Sequence, residues 1–380
     1  MKRHNPFIAL SGAAMSLPVF AASQPVETTV SLKASTYKED DISSQAVISG
    51  ANSRYDIDIG QFRLVAPVGS NWSIEAGYAQ ETMSGASPWA TLLGVNGDQS
   101  LIMSGATIRD SRSAADLTLI HYSEDRSISL GLAHSDEDDY EAKAITLGSE
   151  WEFNNKLSTL SLGFSYSTDD LSPVDAVAFG RILEAEKRTR SMSVGYSRVI
   201  NKVSAISSTL NITQHDGYLS DPYKLRDVRP DERTEWALSL RYRRFFDNRN
   251  AALHLDYRYF NDDWGIDSHT IYSAWYQSIG ARFQIAPNIR LYSQREADFY
   301  LAVDNFSLPR TTAQSSDFRL SGYGAWSLGL KAIFRADTWD VTLSYDQYSA
   351  DESKGLSASD TEHPALLDFQ LTSIGFNFRF

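Results

Sequence analysis

Two neighbouring stretches of this sequence place ionisable side chains at every second position. Arg241 and Arg243 alternate with Leu240 and Tyr242, while His254, Asp256 and Arg258 alternate with Leu253, Leu255 and Tyr257. Residues two apart share a face of an extended chain, so Arg241, Arg243, His254, Asp256 and Arg258 would line one surface, joined by Arg290. Two chemistries fit such a surface. Opposite charges on facing strands form an ion-pair ladder that holds register, whereas an excess of cations along a passage guides anionic solutes.

A second group is acidic. Asp136, Asp138 and Asp139 crowd around Glu137, and Asp262 precedes Asp263. Hard oxygen ligands of this kind suit calcium, which takes six to eight of them. The spacing is not that of an EF-hand, and plain solvated charge or bridging to lipopolysaccharide counter-ions is the competing use. Beyond the N-terminal segment stand six histidines, His121, His134, His215, His254, His269 and His363. His215 lies near Asp216 and Ser220, and His269 follows Asp267 and Ser268. A catalytic pair needs a base held beside its nucleophile. Neither a Gly-x-Ser-x-Gly elbow nor a His-Glu-x-x-His helix accompanies these residues, so a hydrolase at a rim ranks last and a non-enzymatic role is expected. Without any cysteine there is no disulfide, thiolate metal site or lipidated N-terminus, and no cofactor is expected.

Such side chains need a frame, and the dominant pattern is alternation with period two. At the C-terminus Ile374, Phe376, Phe378 and Phe380 are apolar, with Ser373, Gly375, Asn377 and Arg379 between them. The same pattern runs through Val30–Ala34, Trp72–Tyr78, Leu160–Tyr166, Trp236–Tyr242, Leu253–Tyr259 and Trp339–Tyr345. About sixteen such runs approach the ~9–11 residues that cross a membrane as a tilted strand. Connections alternate between short turns, such as Pro67–Ser70 and Asp247–Asn250, and longer ones, such as Thr168–Lys187 and Arg295–Arg319. That two-sidedness is the mark of a membrane barrel with short periplasmic turns and long extracellular loops. Its girdles would use the 8 Trp, 19 Tyr and 18 Phe. The expected fold is one all-β, antiparallel up-and-down transmembrane barrel of about 16 strands over residues 22–380.

The ends and the charge agree with export. Lys2 and Arg3 precede an apolar run from Phe7 to Phe20 and the small residues Ala21, Ala22 and Ser23, the order of a signal peptide. Cleavage is expected after Ala21 or after Ser23. Removing Lys2 and Arg3 from 35 basic residues leaves 33 against 48 acidic, a balance of −15. Nucleic acid is therefore not an expected partner. The outer membrane of a Gram-negative cell, with its lipid and lipopolysaccharide, is the expected location. The alternating last strand also resembles the C-terminal signal by which the barrel-assembly machinery recognises its clients.

One connection, Met83–Ser113, is unusual because it holds Trp89, Leu92, Leu93, Val95, Leu101, Ile102 and Met103. That much apolar surface in a loop needs a partner. It either folds into the lumen as a constriction, with Ser84, Gly85 and Ala86 at its entry, or forms an extra hairpin or a partner-binding surface.

Several segments are similar to a bacterial family described only as a domain of unknown function. They are Ser84-Gly85-Ala86-Ser87-Pro88, Ser104 to Arg112, Gly217 to Tyr223, Arg229-Pro230-Asp231, Tyr257 to Gly265 with Ser268-His269-Thr270, and Gln294 with Asp298-Phe299-Tyr300. The likeness runs from about Ser84 to Phe380. It implies an outer-membrane barrel and brings no activity. It also suggests a periplasmic lipoprotein or thioredoxin-like partner. Three functions follow in order: a channel for small solutes, a scaffold for such a partner, and a rim hydrolase.

Overall fold

A computed structural model describes residues 23–94, 96–104, 108–356 and 363–380. The expected signal segment, residues 1–21, and Val95 lie outside them. The chain forms sixteen wall strands. The first eight are β1 (Thr29–Glu39), β2 (Asp56–Val68), β3 (Trp72–Gly85), β4 (Ile108–Tyr122), β5 (Arg126–Asp136), β6 (Tyr140–Phe153), β7 (Ser158–Leu171) and β8 (Ala185–Asn201). The second eight are β9 (Ser204–Gly217), β10 (Glu232–Phe246), β11 (Ala251–Asp262), β12 (Asp267–Ile279), β13 (Phe283–Gln294), β14 (Tyr323–Arg335), β15 (Trp339–Asp351) and β16 (Asp368–Arg379). Each pairs antiparallel with its sequence neighbours. The ring closes where β1 pairs with β16, from Thr29 opposite Arg379 to Glu39 opposite Phe369.

Alternation decides which side of the wall each residue takes. Leu119, Leu130 and Leu147 stand side by side on β4, β5 and β6 and are each 42% exposed or more on the outer face. Their chain neighbours Thr118, Gly131 and Thr146 meet on the inner face, where a Cβ on Gly131 would come within 2.3 Å of the Thr146 hydroxyl. On the last strand Ile374, Phe376 and Phe378 are exposed outside, with Phe376 beside Leu32 and Val341. Trp72, Trp236, Trp339 and Tyr78 are exposed as well. An apolar outside around a polar inside, with every strand paired on both edges, suits hydrocarbon, because no backbone group is left bare. No helix among the described residues is long and apolar enough to cross a membrane.

At one end the strands are joined by turns of two to four residues, such as 69–71, 202–203 and 247–250. At the other end, residues 40–55, 86–107, 218–231, 295–322 and 352–367 are far longer. Pairing continues beyond the expected strand ends, so the connection expected to span Met83–Ser113 is shortened to 86–107. Ser84 and Gly85 belong to β3, opposite Arg109 and Ile108. Gly85 has φ of +143°, and a Cβ there would lie 2.5 Å from the Arg54 carbonyl oxygen. Only glycine passes so close to a neighbouring backbone.

The long connections fold onto one another. Residues Pro88–Leu93 and Gln99–Met103 form a hairpin, and Val47–Ser49 adds to it as a third, parallel strand. Leu101, Met103 and Ala86 of this unit pack with Ile42 and Ala365 into a buried cluster, against Val47 and Phe318. Its backbone also reaches the other side of the ring: Leu225 donates to the Trp89 carbonyl at 2.8 Å, and Asp304 donates to the Thr91 carbonyl at 2.8 Å. The hairpin leaves the wall between β3 and β4, whereas Leu225 and Asp304 leave it between β9 and β10 and between β13 and β14. Segments from such distant points of a closed ring meet only by crossing its mouth, and together they form a plug.

Introducing a charge on the outer face should uncouple insertion from the rest of the fold. Leu130→Arg is expected to cost about 2–4 kcal/mol at mid-wall. It should lower the fraction of heat-modifiable, folded barrel recovered in lipid vesicles, and an unchanged folded fraction would place Leu130 away from lipid.

Candidate functional site

Charged residues hold the plug together. Asp317, completely buried, accepts hydrogen bonds from Arg319 and from Arg229 at 2.8 Å. Arg229 also reaches Asp227 at 2.8 Å, and Arg319 reaches Asp221 at 3.3 Å. Residues from 218–231 and 295–322 are thereby locked side by side. Burial alone would raise the Asp317 carboxyl, but Arg319, Lys224 and Arg229 hold it well below its ordinary value. His363 closes a third side. Its Nδ1 accepts from the Ala365 amide at 3.1 Å and its Nε2 donates to the Ser316 carbonyl at 3.1 Å, with the Thr91 hydroxyl 3.3 Å away. That pattern requires a neutral ring, and burial pushes its pKa down to about 3.

Where the plug meets the wall there is a cavity of about 350 Å³. Tyr37, Ile57, Met83 and Leu371 face it from the wall, and Pro88, Lys224 and Phe318 face it from the plug. Its ionic lining is largely self-paired. Arg54 donates to Glu39 at 2.8 Å, and Arg112 lies 2.9 Å from Glu81 and 3.7 Å from Glu137. Beside Arg112, carboxylate oxygens of Asp110, Glu137 and Asp139 all lie within 4.8 Å of one another. Desolvation, then Asp110 and Asp139, push the Glu137 carboxyl up to about 8 despite Arg112. Of the acidic run read as a calcium candidate, Glu137 and Asp139 belong to this cluster. Asp136 and Asp138 are exposed, because the tight turn 137–139 sends alternate side chains outward. Asp262 serves the turn after β11: its Oδ1 accepts from the Trp264 and Ile266 amides at 3.1 and 2.8 Å, while Arg233 binds its Oδ2.

Below the plug, the expected lumen residues share the inner wall. Arg243 and Asp256 form an ion pair, with a second contact at 3.1 Å. Arg241 stands opposite Asp256, and Arg243 stands opposite His254, which packs on Tyr276 at 4.4 Å. Arg258 lies over Phe260 at 5.1 Å and Arg290 over Tyr292 at 5.7 Å. Lys331 on β14 extends this cationic side, where Asp346 crosses the gap left by Gly329, whose Cβ would sit 2.0 Å from it. Half a ring away, β3, β4 and β6 carry Glu75, Asp116 and Glu150 inward, with Arg63 of β2 paired to Glu75. Acidic and basic walls thus face each other across the lumen.

The histidines considered for catalysis lie on opposite faces of the wall. Inside, His215 Nδ1 meets the Thr189 hydroxyl at 3.0 Å and its Nε2 lies 3.5 Å from Glu235. This has the order of a nucleophile, base and acid, yet Thr189 is only 6% exposed. Outside, His269 Nδ1 meets the Tyr257 hydroxyl at 2.8 Å within an aromatic group that includes Tyr259.

Among the residues expected to constrict the lumen, Ala86 and Met103 are buried in the plug core, the Trp89 carbonyl is engaged, Leu92 and Ile102 are half-buried, and Leu93 is exposed. The residues that lock the plug, Asp221, Arg229, Asp317 and Arg319, carried no periodic signal. Asp221 and Arg229 stood only within family-like segments.

A closed ring of sixteen strands, apolar outside and ionic within, defines an outer-membrane β-barrel of porin-like fold. The chain belongs to the family described as protein of unknown function DUF3570, whose model matches residues 8–365. No curated protein matches it. Among solved structures it is similar to a bacterial polysaccharide outer membrane secretin, with TM-score 0.50 and 10% identity over 93% of this chain and 98% of that one. A BenF-like porin from Pseudomonas fluorescens Pf-5 gives 0.46 and 7%, over 93% and 98%. The siderophore receptor PirA from Pseudomonas aeruginosa gives 0.46 and 11% over 92% of this chain, which spans 62% of that receptor. At such identities the likeness is one of fold.

Two substitutions probe the plug separately from the wall. Asp317→Asn removes the buried anion that Arg229 and Arg319 share and leaves them with Asp227 and Asp221, which should cost the plug about 3 kcal/mol. Limited proteolysis should then cut within 218–231 or 295–322 while the barrel stays heat-modifiable; resistance equal to wild type would show that the pair holds nothing. Glu137 takes up a proton on folding, so its contribution is complete below its ordinary value of 4.5 and is lost as pH rises through about 8. Glu137→Gln should flatten the fall in thermal stability between pH 5 and 9, and an unaltered slope would assign that fall to another group.

Proposed function

We propose that this protein is a passage for small solutes across the outer membrane, with a plug of folded connections that decides what enters. The observation that carries this reading is the junction of plug and wall. The mouth is crossed by a packed unit of Leu101, Met103, Ile42 and Ala365, yet a cavity of about 350 Å³ lined by charged side chains remains against the wall. A ring of sixteen strands is wide enough to keep an aqueous interior. Opposed walls of Glu75, Asp116 and Glu150 against Arg241, Arg258 and Arg290 then orient a dipolar solute along the way.

In this reading the N-terminal segment directs export and is removed. The long connections face outward, and Ile374, Phe376, Phe378 and Phe380 engage the assembly machinery. The protein acts without covalent chemistry. The buried Thr189 beside His215 supports that view, since a nucleophile must be reached to react.

Purified protein in planar bilayers should give small, discrete conductance steps. Replacing residues 86–107 with a short glycine–serine turn removes the hairpin and should raise the step size severalfold. Absence of any steps in both proteins would overturn the passage.

A further inference from the structure

The outer wall is not alike all the way round. Eight residues above the foot of the strand, counted from the short-turn end, stand Ile212 on β9, Leu238 on β10, Tyr259 on β11, Ile271 on β12 and Leu291 on β13. At seven or eight residues above the foot, the six strands about the seam carry Gln347 on β15, Thr372 on β16, Thr36 on β1, Gly60 on β2, Gln80 on β3 and Ala115 on β4. Alternation keeps these six outside, in step with Leu343, Ile374 and Leu32 below them. A depression of about 640 Å³ lies there over Ala34 and Gly60, with Ile374 and Leu343 to one side and Gln80 to the other. A Cβ on Gly60 would have its nearest neighbour 4.0 Å away, so packing within the chain does not demand a glycine.

Hydrocarbon offers amides and hydroxyls no hydrogen bond. Thr36 donates to Asp58 and Gln347 accepts from Tyr345, each at 2.9 Å, but Gln80 and Thr372 form no side-chain hydrogen bond among the described residues. We propose that this outer face, from β15 through the seam to β4, is where two copies of the chain meet in the membrane. A second copy sits at the same depth and carries the same polar strip at the same height. A two-fold axis parallel to the barrel and passing between β1 and β2 sets β1 of one copy against β2 of the other. Lys38, nine residues above the foot of β1, then meets Asp58, ten above the foot of β2, and does so twice. Size agrees as well. Six strands ~4.8 Å apart are ~29 Å wide, and over a belt ~25 Å tall they offer ~700 Å² per copy, close to the ~800 Å² per partner of a stable interface. Lipid fits less well. An acyl chain could fill the depression but would leave Gln80 and Thr372 unbonded, and a phosphorylated head group would meet Asp56 and Asp58 beside the single Lys38. The pairing stands independently of the passage reading.

The chain has no cysteine, so a single introduced thiol reports contact directly. In outer-membrane fractions a bis-maleimide linker should join Thr36→Cys into a species of two chain masses at least fivefold more than it joins Ile212→Cys, half a ring away on β9. Purified full-length barrel in mild detergent should sediment as two copies. Gly60→Trp projects a ring from open space into the depression. It should raise the dissociation constant of the pair at least tenfold while the barrel stays heat-modifiable, and Ile212→Trp should leave that constant within twofold. If Gly60→Trp fails to fold, the cross-linking comparison still decides. A wild type that is single in both membrane and detergent would overturn the proposal, as would equal cross-linking at Thr36 and Ile212. So would a Thr36→Cys adduct whose mass requires a different protein, or a one-copy barrel that shields Thr36→Cys with bound lipopolysaccharide, since either gives the face another occupant.

Discussion

Closure governs this structure. A strand in hydrocarbon has nowhere to satisfy its edge except another strand, so β1 must find β16, and Thr29 to Glu39 do so in unbroken register. Once the ring is shut, the side of each residue follows from parity alone. Leu119, Leu130 and Leu147 turn outward, and Thr118, Gly131 and Thr146 turn inward. Everything with chemical interest is thereby confined to the lumen or to the long connections at one mouth.

The wall tolerates polarity inside because water or an ion partner is available there, as for Arg243 with Asp256. The plug is different. Its polar groups are buried among protein atoms, so Asp317 survives as an anion only between Arg229 and Arg319. Apolar packing of Leu101 and Met103 supplies the cohesion, and these pairs set which segment lies beside which. The cavity exists because the apolar unit packs on the wall incompletely, leaving Glu81, Asp110 and Arg112 in contact with open space.

The wall was legible in the sequence for a simple reason: lipid outside and water inside impose a period of two. Ile374, Phe376 and Phe378 announce it, and about sixteen runs become sixteen strands. Strand ends were misjudged because above the apolar belt both faces are polar, so Asp169, Asp170, Glu186 and Lys187 read as loop although pairing continues through them. The site was less visible still. Asp136, Asp138 and Asp139 are the same residue type in one run, and only the path of the turn sends Asp139 inward. Asp317 and Arg229 lie 88 positions apart in irregular segments, where no spacing rule applies. The apolar content of the 86–107 connection did signal that it must be covered, though not by what.

The plug draws Ile42 from just after the first strand and Ala365 from just before the last, so it joins the two sides of the seam. The core of such a unit is complete only where β1 and β16 lie side by side. Seen end-on, the mouth is a mosaic of several chain segments rather than any continuous stretch. An antibody or phage that recognises it would therefore read the finished fold, and no linear peptide cut from this sequence would stand in for that surface.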